Sequence, residues 1–327
     1  MPRSIYQAII HGPNQAPKYE QRELRDPDGD EVQVQVLATG LHRLTRARAS
    51  GAHYSATAGG FPLVPGFDGV GRLPNGELTY FLTMSPRAEV FAEYANVPRA
   101  DCIPIPSNAN PITVAGTANP AMSSWLALRT RVPVKKGFSI LILGVTGSSG
   151  HMAVPIARLL GASRIIGVGR NQQVLDKLLQ SGMDASITLT DDEQANKAAF
   201  AKEGRNVDVI LDYLWGDVAE LVLSAISTSG RDSTQRLDWI NVGSMNGPSG
   251  NLSVAPFRQL NLYLSGSGLS GSGVGALPKA QFQGEMKDMI EQIVQKDLSV
   301  SINHQKLANV ETAWDMDESQ GRIVFQP

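Results

Sequence analysis

Between Ser139 and Asn171 the chain reads SILILGVTGSSGHMAVPIARLLGASRIIGVGRN, and Gly144, Gly147 and Gly150 are spaced G-x-x-G-x-x-G between an apolar run and a helical pattern. A tight strand-to-helix turn needs residues without a Cβ. Such a turn also lets backbone N–H groups at the helix start approach a pyrophosphate. Thr146 lies in this loop, and Ser148 and Ser149 add hydroxyl donors at its end. The spacing alone also suits glycines that merely let a helix pack closely on a strand. The strand before the loop and the βαβ pattern after it give the nucleotide reading its weight. No Gly-Lys-Ser/Thr follows, so the loop lacks the essential part of a nucleotide hydrolase.

The second apolar run ends on Gly169-Arg170-Asn171. A site for NAD usually places a carboxylate here to accept hydrogen bonds from the ribose hydroxyls. No acid is available, and Arg170 instead offers a planar cation that can fork onto a 2′-phosphate. NADPH is therefore the expected cofactor. A solvated arginine is the simpler alternative, although a cation at a helix start opposes the helix dipole. Asn241, Val242 and Gly243 in RLDWINVG, and Ser265 in NLYLSGS, complete the candidate cofactor-binding set.

The elements that must position these residues follow from the pattern around them. The first third reads as turn-separated β structure, with SIYQAII, EVQVQVLATG and GELTYFLT, and EVQVQV alternates with period two. A helical pattern starts near Pro120. From Phe138 strand and helix alternate through to NLYLSGS, which predicts a doubly wound parallel sheet. The end returns to strand, helix, strand and is expected to rejoin the first part. The domains are thus 1–120, completed by 268–327, and 121–267. SGSGLSGSGVG, Ser265 to Gly275, reads as a flexible loop or as a mobile lid over a cofactor.

Composition sets outer bounds. The 327 residues exceed one small core, and 42% hydrophobic with 18% charged residues is ordinary for a globular protein. A net charge of −2 supplies no field for nucleic acid or an anionic membrane. The N-terminus has too short an apolar core for a signal peptide, and no run reaches the length of a membrane span, so a cytoplasmic protein is expected. Cys102 is the only cysteine, which excludes an internal disulfide and a cysteine zinc cluster.

A β-rich part followed by a nucleotide loop some 140 residues in resembles the medium-chain dehydrogenase/reductase superfamily, specifically its zinc-free quinone oxidoreductase branch. VQVLATGLHRLTRARASG, FPLVPGFDGVG, ILILGVTGSSG and GRIVF correspond to family landmarks, and the resemblance covers almost the whole chain. It implies a GroES-like β-rich catalytic domain plus a Rossmann domain, an α/β fold. Where Gly144 stands, this branch more often has alanine. The first ligand position of zinc-dependent relatives matches His42, and the second, in PGHE, matches Phe67 in PGFD. None of the usual ligand set is intact. His11, His42, His53, His151 and His304 are scattered without helical metal spacing, so no metal is expected. Short-chain reductases share a TGSSG-like signature, but none of the seven tyrosines here has a lysine four residues on.

Without zinc nothing polarises an isolated carbonyl, which disfavours plain alcohol oxidation. A quinone or an α,β-unsaturated ketone or aldehyde needs less help, because a few oriented donors can hold the developing oxyanion. The resemblance offers His42, at a position where relatives carry asparagine or tyrosine, and Ser123, which matches a threonine near the nicotinamide. His42 could donate to the substrate oxygen or the ribose and supply a proton. It could equally be a loop histidine bonded to backbone, and Ser123 a hydroxyl serving a helix start. Arg43, Arg46 and Arg48 read as a solvated face, or less readily as a site for an acidic substrate. A nucleotide-binding, catalytically weak redox sensor or scaffold of the same fold is the alternative function. The partners expected are a small-molecule quinone or enone and a second copy of the chain. LNLYLSGSG is an unguarded sixth strand, and relatives commonly form a homodimer through this edge.

Overall fold

The computed structural model describes residues 3–51, 60–83, 85, 87–268, 277–318 and 321–327. The chain divides into two compact units, Met1–Asn119 with Lys279–Pro327, and Pro120–Pro278.

In the first unit β1 (Arg3–Ile9) and β2 (Lys18–Leu24) form an antiparallel pair. β3 (Glu31–Gly40) buries Val32, Val34 and Val36 in alternation, as its period-two pattern predicts. Then follow α1 (Arg43–Ala49), β4 (Asp68–Arg72), β5 (Leu78–Leu82), β6 (Tyr94–Pro98) and β7 (Cys102–Pro104). α2 (Pro111–Leu126) starts well before Pro120, the start expected from sequence. Asn110 explains the difference. Its side-chain oxygen accepts the N–H groups of Ile112 at 3.0 Å and Thr113 at 3.2 Å. Pro111 then takes a position where a missing N–H costs nothing.

The second unit alternates strand and helix: β8 (Ser139–Leu143), α3 (Ser148–Leu159), β9 (Arg164–Gly169), α4 (Gln172–Gln180), β10 (Ala185–Thr188), α5 (Glu193–Glu203), β11 (Val209–Asp212), α6 (Gly216–Ser227), β12 (Arg236–Asn241), α7 (Ala255–Gln259) and β13 (Asn261–Gly266). All pairings are parallel, in the order β10-β9-β8-β11-β12-β13. The doubly wound sheet is the one predicted. Ile140 and Ile142 of β8 enter one apolar cluster, Leu141 and Leu143 another, so the sheet is buried on both faces. The strand order reverses between β8 and β11, the place beyond whose carboxyl ends open α/β sheets of this kind form a ligand crevice.

The chain closes with α8 (Lys279–Gln295), β14 (Ile302–Lys306), α9 (Val310–Ala313) and β15 (Arg322–Gln326). α8 is an element beyond those expected from the sequence pattern, and its Met286, Met289, Ile290 and Ile293 bury one stripe at helical spacing. β15 pairs antiparallel with β3, which adds the C-terminus to the first unit's sheet in the order β14-β15-β3-β4-β5-β7. Phe91, Trp314 and Phe325 pack edge to face in its core. Most of the lid segment Ser265 to Gly275, and most of the loop His53 to Phe61, lie outside the described residues. Among the described residues no helix is long and apolar enough to cross a membrane.

Candidate functional site

The glycine loop leaves β8 at Leu143 and enters α3 at Ser148. Gly144 has φ +87°, a conformation that alanine adopts only at a cost, which accounts for glycine here. A Cβ on Gly150 would lie 2.3 Å from the Gly144 carbonyl oxygen, so the first turn of α3 closes over the loop only without a side chain. Gly147 caps α3 from extended backbone, and no side chain caps the turn. The N–H groups of Ser148, Ser149 and Gly150 have no intrahelical acceptor, and the helix dipole places positive charge beside them. These residues fit the pyrophosphate of a dinucleotide.

The methyl of Thr146 occupies the space where a side chain on Gly169 would start, which joins the loop to the end of β9. Arg170 follows and is exposed. The side-chain oxygen of Asn171 accepts the Val174 N–H at 3.2 Å and so caps α4. Asn241 donates to the Gly243 carbonyl at 2.9 Å, and the Val242 N–H donates to the Asp212 carbonyl at 2.7 Å. Ser265 stands beside Ile240 in the β12–β13 register. The candidate cofactor residues thus gather at or near the carboxyl ends of β8, β9, β12 and β13.

Asp212, at the end of β11, was not singled out from sequence. One carboxylate oxygen accepts the N–H groups of Leu214 at 2.8 Å and Trp215 at 2.9 Å, and the other accepts the indole N–H of Trp239 at 3.1 Å. Burial raises its pKa, and these donors oppose the rise. Its sequence signal was an acid closing the apolar run VIL before Tyr-Leu-Trp-Gly.

Ser123 sits inside α2, not at its start, so its hydroxyl does not serve a helix end. It donates to the Pro120 carbonyl at 2.8 Å and lies 2.9 Å from the Tyr213 hydroxyl. With the serine proton on Pro120, Tyr213 is the donor in that pair. Burial pushes the Tyr213 phenol well up, so it stays protonated.

His42 lies in the first unit, only 1% exposed. Its Nε2 is 2.7 Å from Asp68 Oδ1, and Tyr80 donates its hydroxyl to Asp68 Oδ2 at 2.7 Å. Its Nδ1 meets the Arg322 guanidinium, which also reaches Asn119 at 3.3 Å. An arginine only donates, so Nδ1 is the acceptor and Nε2 carries the proton. Burial lowers the His42 pKa first, Arg322 lowers it further, and Asp68 opposes both. The imidazole is neutral and its bond to Asp68 is a hydrogen bond; the charge facing Asp68 is Arg322. Both ring nitrogens are engaged, and contact with a substrate requires one of these bonds to open. Arg46 corrects the reading of a solvated face: it binds the Trp314 carbonyl at 2.9 Å and Glu318 at 3.0 Å. Arg48 is half-buried, and Arg43 alone of the three is exposed.

The ring of Phe67 lies 5.0 Å from that of His42, so the positions that carry zinc ligands in zinc-dependent relatives adjoin here. Their residues do not fit zinc, since one is a phenyl and the other spends both nitrogens. Burial raises the Cys102 thiol to about 11, against forming a thiolate. Among the described residues no three His, Cys, Asp or Glu side chains gather as a metal site.

A family model described as zinc-binding dehydrogenase matches residues 150–295. The probable NADPH-dependent quinone reductase tdiC of Emericella nidulans is 31% identical over 339 residues, covering 92% of this chain and 93% of its own length. A 2-haloacrylate reductase of a Burkholderia species is 24% identical over 69% of this chain and 71% of its own. The crystal structure of the quinone oxidoreductase from Thermus thermophilus superposes with a TM-score of 0.78 at 20% identity, covering 98% of this chain and all of that one.

Proposed function

The chain belongs to the quinone oxidoreductase-like branch of the medium-chain dehydrogenase/reductase superfamily, and on that premise we propose that it is an NADPH-dependent reductase acting without a metal ion on a quinone or an α,β-unsaturated ketone or aldehyde. One observation carries the reading: the glycine loop lies at the point where the sheet order reverses, with exposed Arg170 at the end of the neighbouring strand where an NAD site has an acid. The similarity to a probable NADPH-dependent quinone reductase of Emericella supports NADPH and a quinone, and that to a 2-haloacrylate reductase of Burkholderia supports a conjugated C=C acceptor.

Bound at the loop, NADPH supplies a hydride. The backbone N–H groups of Ser148, Ser149 and Gly150 hold its pyrophosphate, Arg170 pairs with its 2′-phosphate, and Asn171 anchors α4 behind that arginine. Asn241, Val242, Gly243 and Ser265 complete the lining. Ser123 and Tyr213 form a hydroxyl pair that can turn one proton toward an oxygen on the substrate or on the cofactor, by exchanging the bond to Pro120 or to each other. His42 would take part only with its bond to Asp68 or to Arg322 opened. The occupied ring nitrogens of His42 favour a second reading, in which the chain binds the nucleotide as a weakly active sensor. Assembly as a homodimer through β13 belongs to the proposal.

The test is NADPH consumption with a panel of quinones and enones, before and after chelator dialysis. The expected result is acceptor-dependent oxidation that survives the chelator. Loss of activity on chelation would end the metal-free reading. NADPH binding without turnover by any acceptor would establish the sensor.

A further inference from the structure

Trp215 stands where a glycine would be at ease. Its backbone has φ +57° and ψ −157°, a combination that is essentially open to glycine alone. A residue keeps such a conformation only when its surroundings enforce it, and here they do so from several sides. Asp212 Oδ1 accepts the N–H groups of Leu214 and Trp215 at 2.8 and 2.9 Å. The Tyr213 and Leu214 carbonyls accept the N–H groups of Met245 at 3.1 Å and Asn246 at 2.7 Å. Gly216, next in the chain, is pressed so closely on Asn246 that a Cβ there would lie 2.8 Å from its carbonyl oxygen.

The position of this clamped turn is informative. It ends β11, the strand next to β8 on the far side of the order reversal, and so borders the crevice opposite the end of β9. Its Leu214 packs toward the glycine loop, since a Cβ on Gly144 would lie 3.0 Å from Leu214 Cδ2. The Trp215 ring is half-buried, resting partly on the apolar cluster of Leu143, Val168 and Ile210. The cluster accounts for the buried part of the indole; the exposed part, at the carboxyl end of β11 beside the glycine loop, can make a further contact, and the clamped backbone fixes where it stands. A flat indole at a crevice edge suits stacking on a flat heteroaromatic ring, a sequence-tolerant contact whose loss typically weakens binding by roughly five- to a hundredfold.

We propose that Trp215 is a cofactor-binding residue whose indole stacks on a planar ring of the bound dinucleotide, the adenine or the nicotinamide, and that the turn around it is strained to present that ring. The inference rests on the NADPH reading above.

The experiment is equilibrium titration of the full chain with NADPH, with 2′,5′-ADP as the probe carrying adenine alone and with reduced nicotinamide mononucleotide as the probe carrying nicotinamide alone, beside thermal unfolding without nucleotide. Trp215→Gly, and Trp215→Leu, which keeps an apolar side chain on the cluster but no flat ring, are expected to weaken NADPH and one of the two half-probes by roughly five- to a hundredfold while both still unfold cooperatively without nucleotide. Trp215→Phe, which keeps a ring, is expected to bind within a few-fold of wild type. Undiminished NADPH binding by Trp215→Gly would overturn the inference and leave the cofactor reading standing. A wild-type chain that does not bind NADPH would overturn both.

Discussion

At the scale of single residues the first unit's polar cluster makes the sharpest statement. Arg322 can only donate, so His42 must keep Nδ1 unprotonated and pass its one proton to Asp68. In the unfolded chain nothing prevents a second proton from binding near pH 6.5. The folded pKa is lowered, by burial first and by Arg322 second. The native state therefore binds fewer protons than the unfolded state below about pH 6.5, and the stability contributed by His42 is full above that pH and declines as pH falls. Denaturant midpoints measured from pH 7.5 to 5 should drop with acidification. His151 is shifted the same way by burial, so the comparison that isolates His42 is the slope in His42→Gln, which should be shallower. An unchanged slope would mean that His42 is not the neutral member of this cluster. Little of this was legible in sequence. PGFD drew attention through its family position, but Asp68 and Arg322 reach His42, and Tyr80 reaches Asp68, from three different strands, and only folding brings them together. The strain at Trp215 was likewise invisible, because no residue type announces a positive φ as glycine does.

At the scale of elements, what the sequence showed was what local rules dictate. The β8–α3–β9 unit could be read directly, since a run buried on both faces, a glycine turn and a helix each leave a local pattern. The start of α2 was misread because Pro120 resembles a first helical residue. The stronger signal, Asn110 before Pro111, accounts for the true start. α8 was missed although its stripe of Met286, Met289, Ile290 and Ile293 is regular, because no capping residue marks its entry from a glycine-rich stretch. The tight closure of α3 over its loop gives a test at this scale. In Gly150→Ala the new methyl meets the Gly144 carbonyl, which is backbone and cannot swing aside. The start of α3 must shift, so stability should fall by about 1–3 kcal/mol, the usual cost of overpacking, and NADPH affinity should fall with it. Thermal unfolding and cofactor titration of this variant read both effects. A variant that melts and binds like wild type would remove the argument that this turn is built around close approach.

At the scale of the whole molecule, β13 is an edge strand with Tyr263 49% and Leu264 39% exposed. Arg236 of β12, paired with Asp238 at 2.7 Å, lays its guanidinium 3.7 Å from the Tyr263 ring, while β13 itself carries no charged side chain to guard the edge. The homodimer proposed through this edge should give a light-scattering mass near twice 35.1 kDa at micromolar concentration. Tyr263→Pro, which removes a strand donor, and Leu264→Lys, which adds a charge without altering the backbone, should both shift it toward monomer. A wild-type mass near 35.1 kDa would count against the dimer. The larger claim, that this chain is built around NADPH, turns on Arg170 at the end of β9. A charge-assisted pair with the 2′-phosphate is worth about 1.5–3 kcal/mol. The most direct measurement is the dissociation constants of NADPH and NADH for wild type and Arg170→Ala, determined side by side. The expected result is that NADPH weakens at least about tenfold while NADH scarcely changes. Equal loss for both cofactors, or no loss for either, would contradict the assignment.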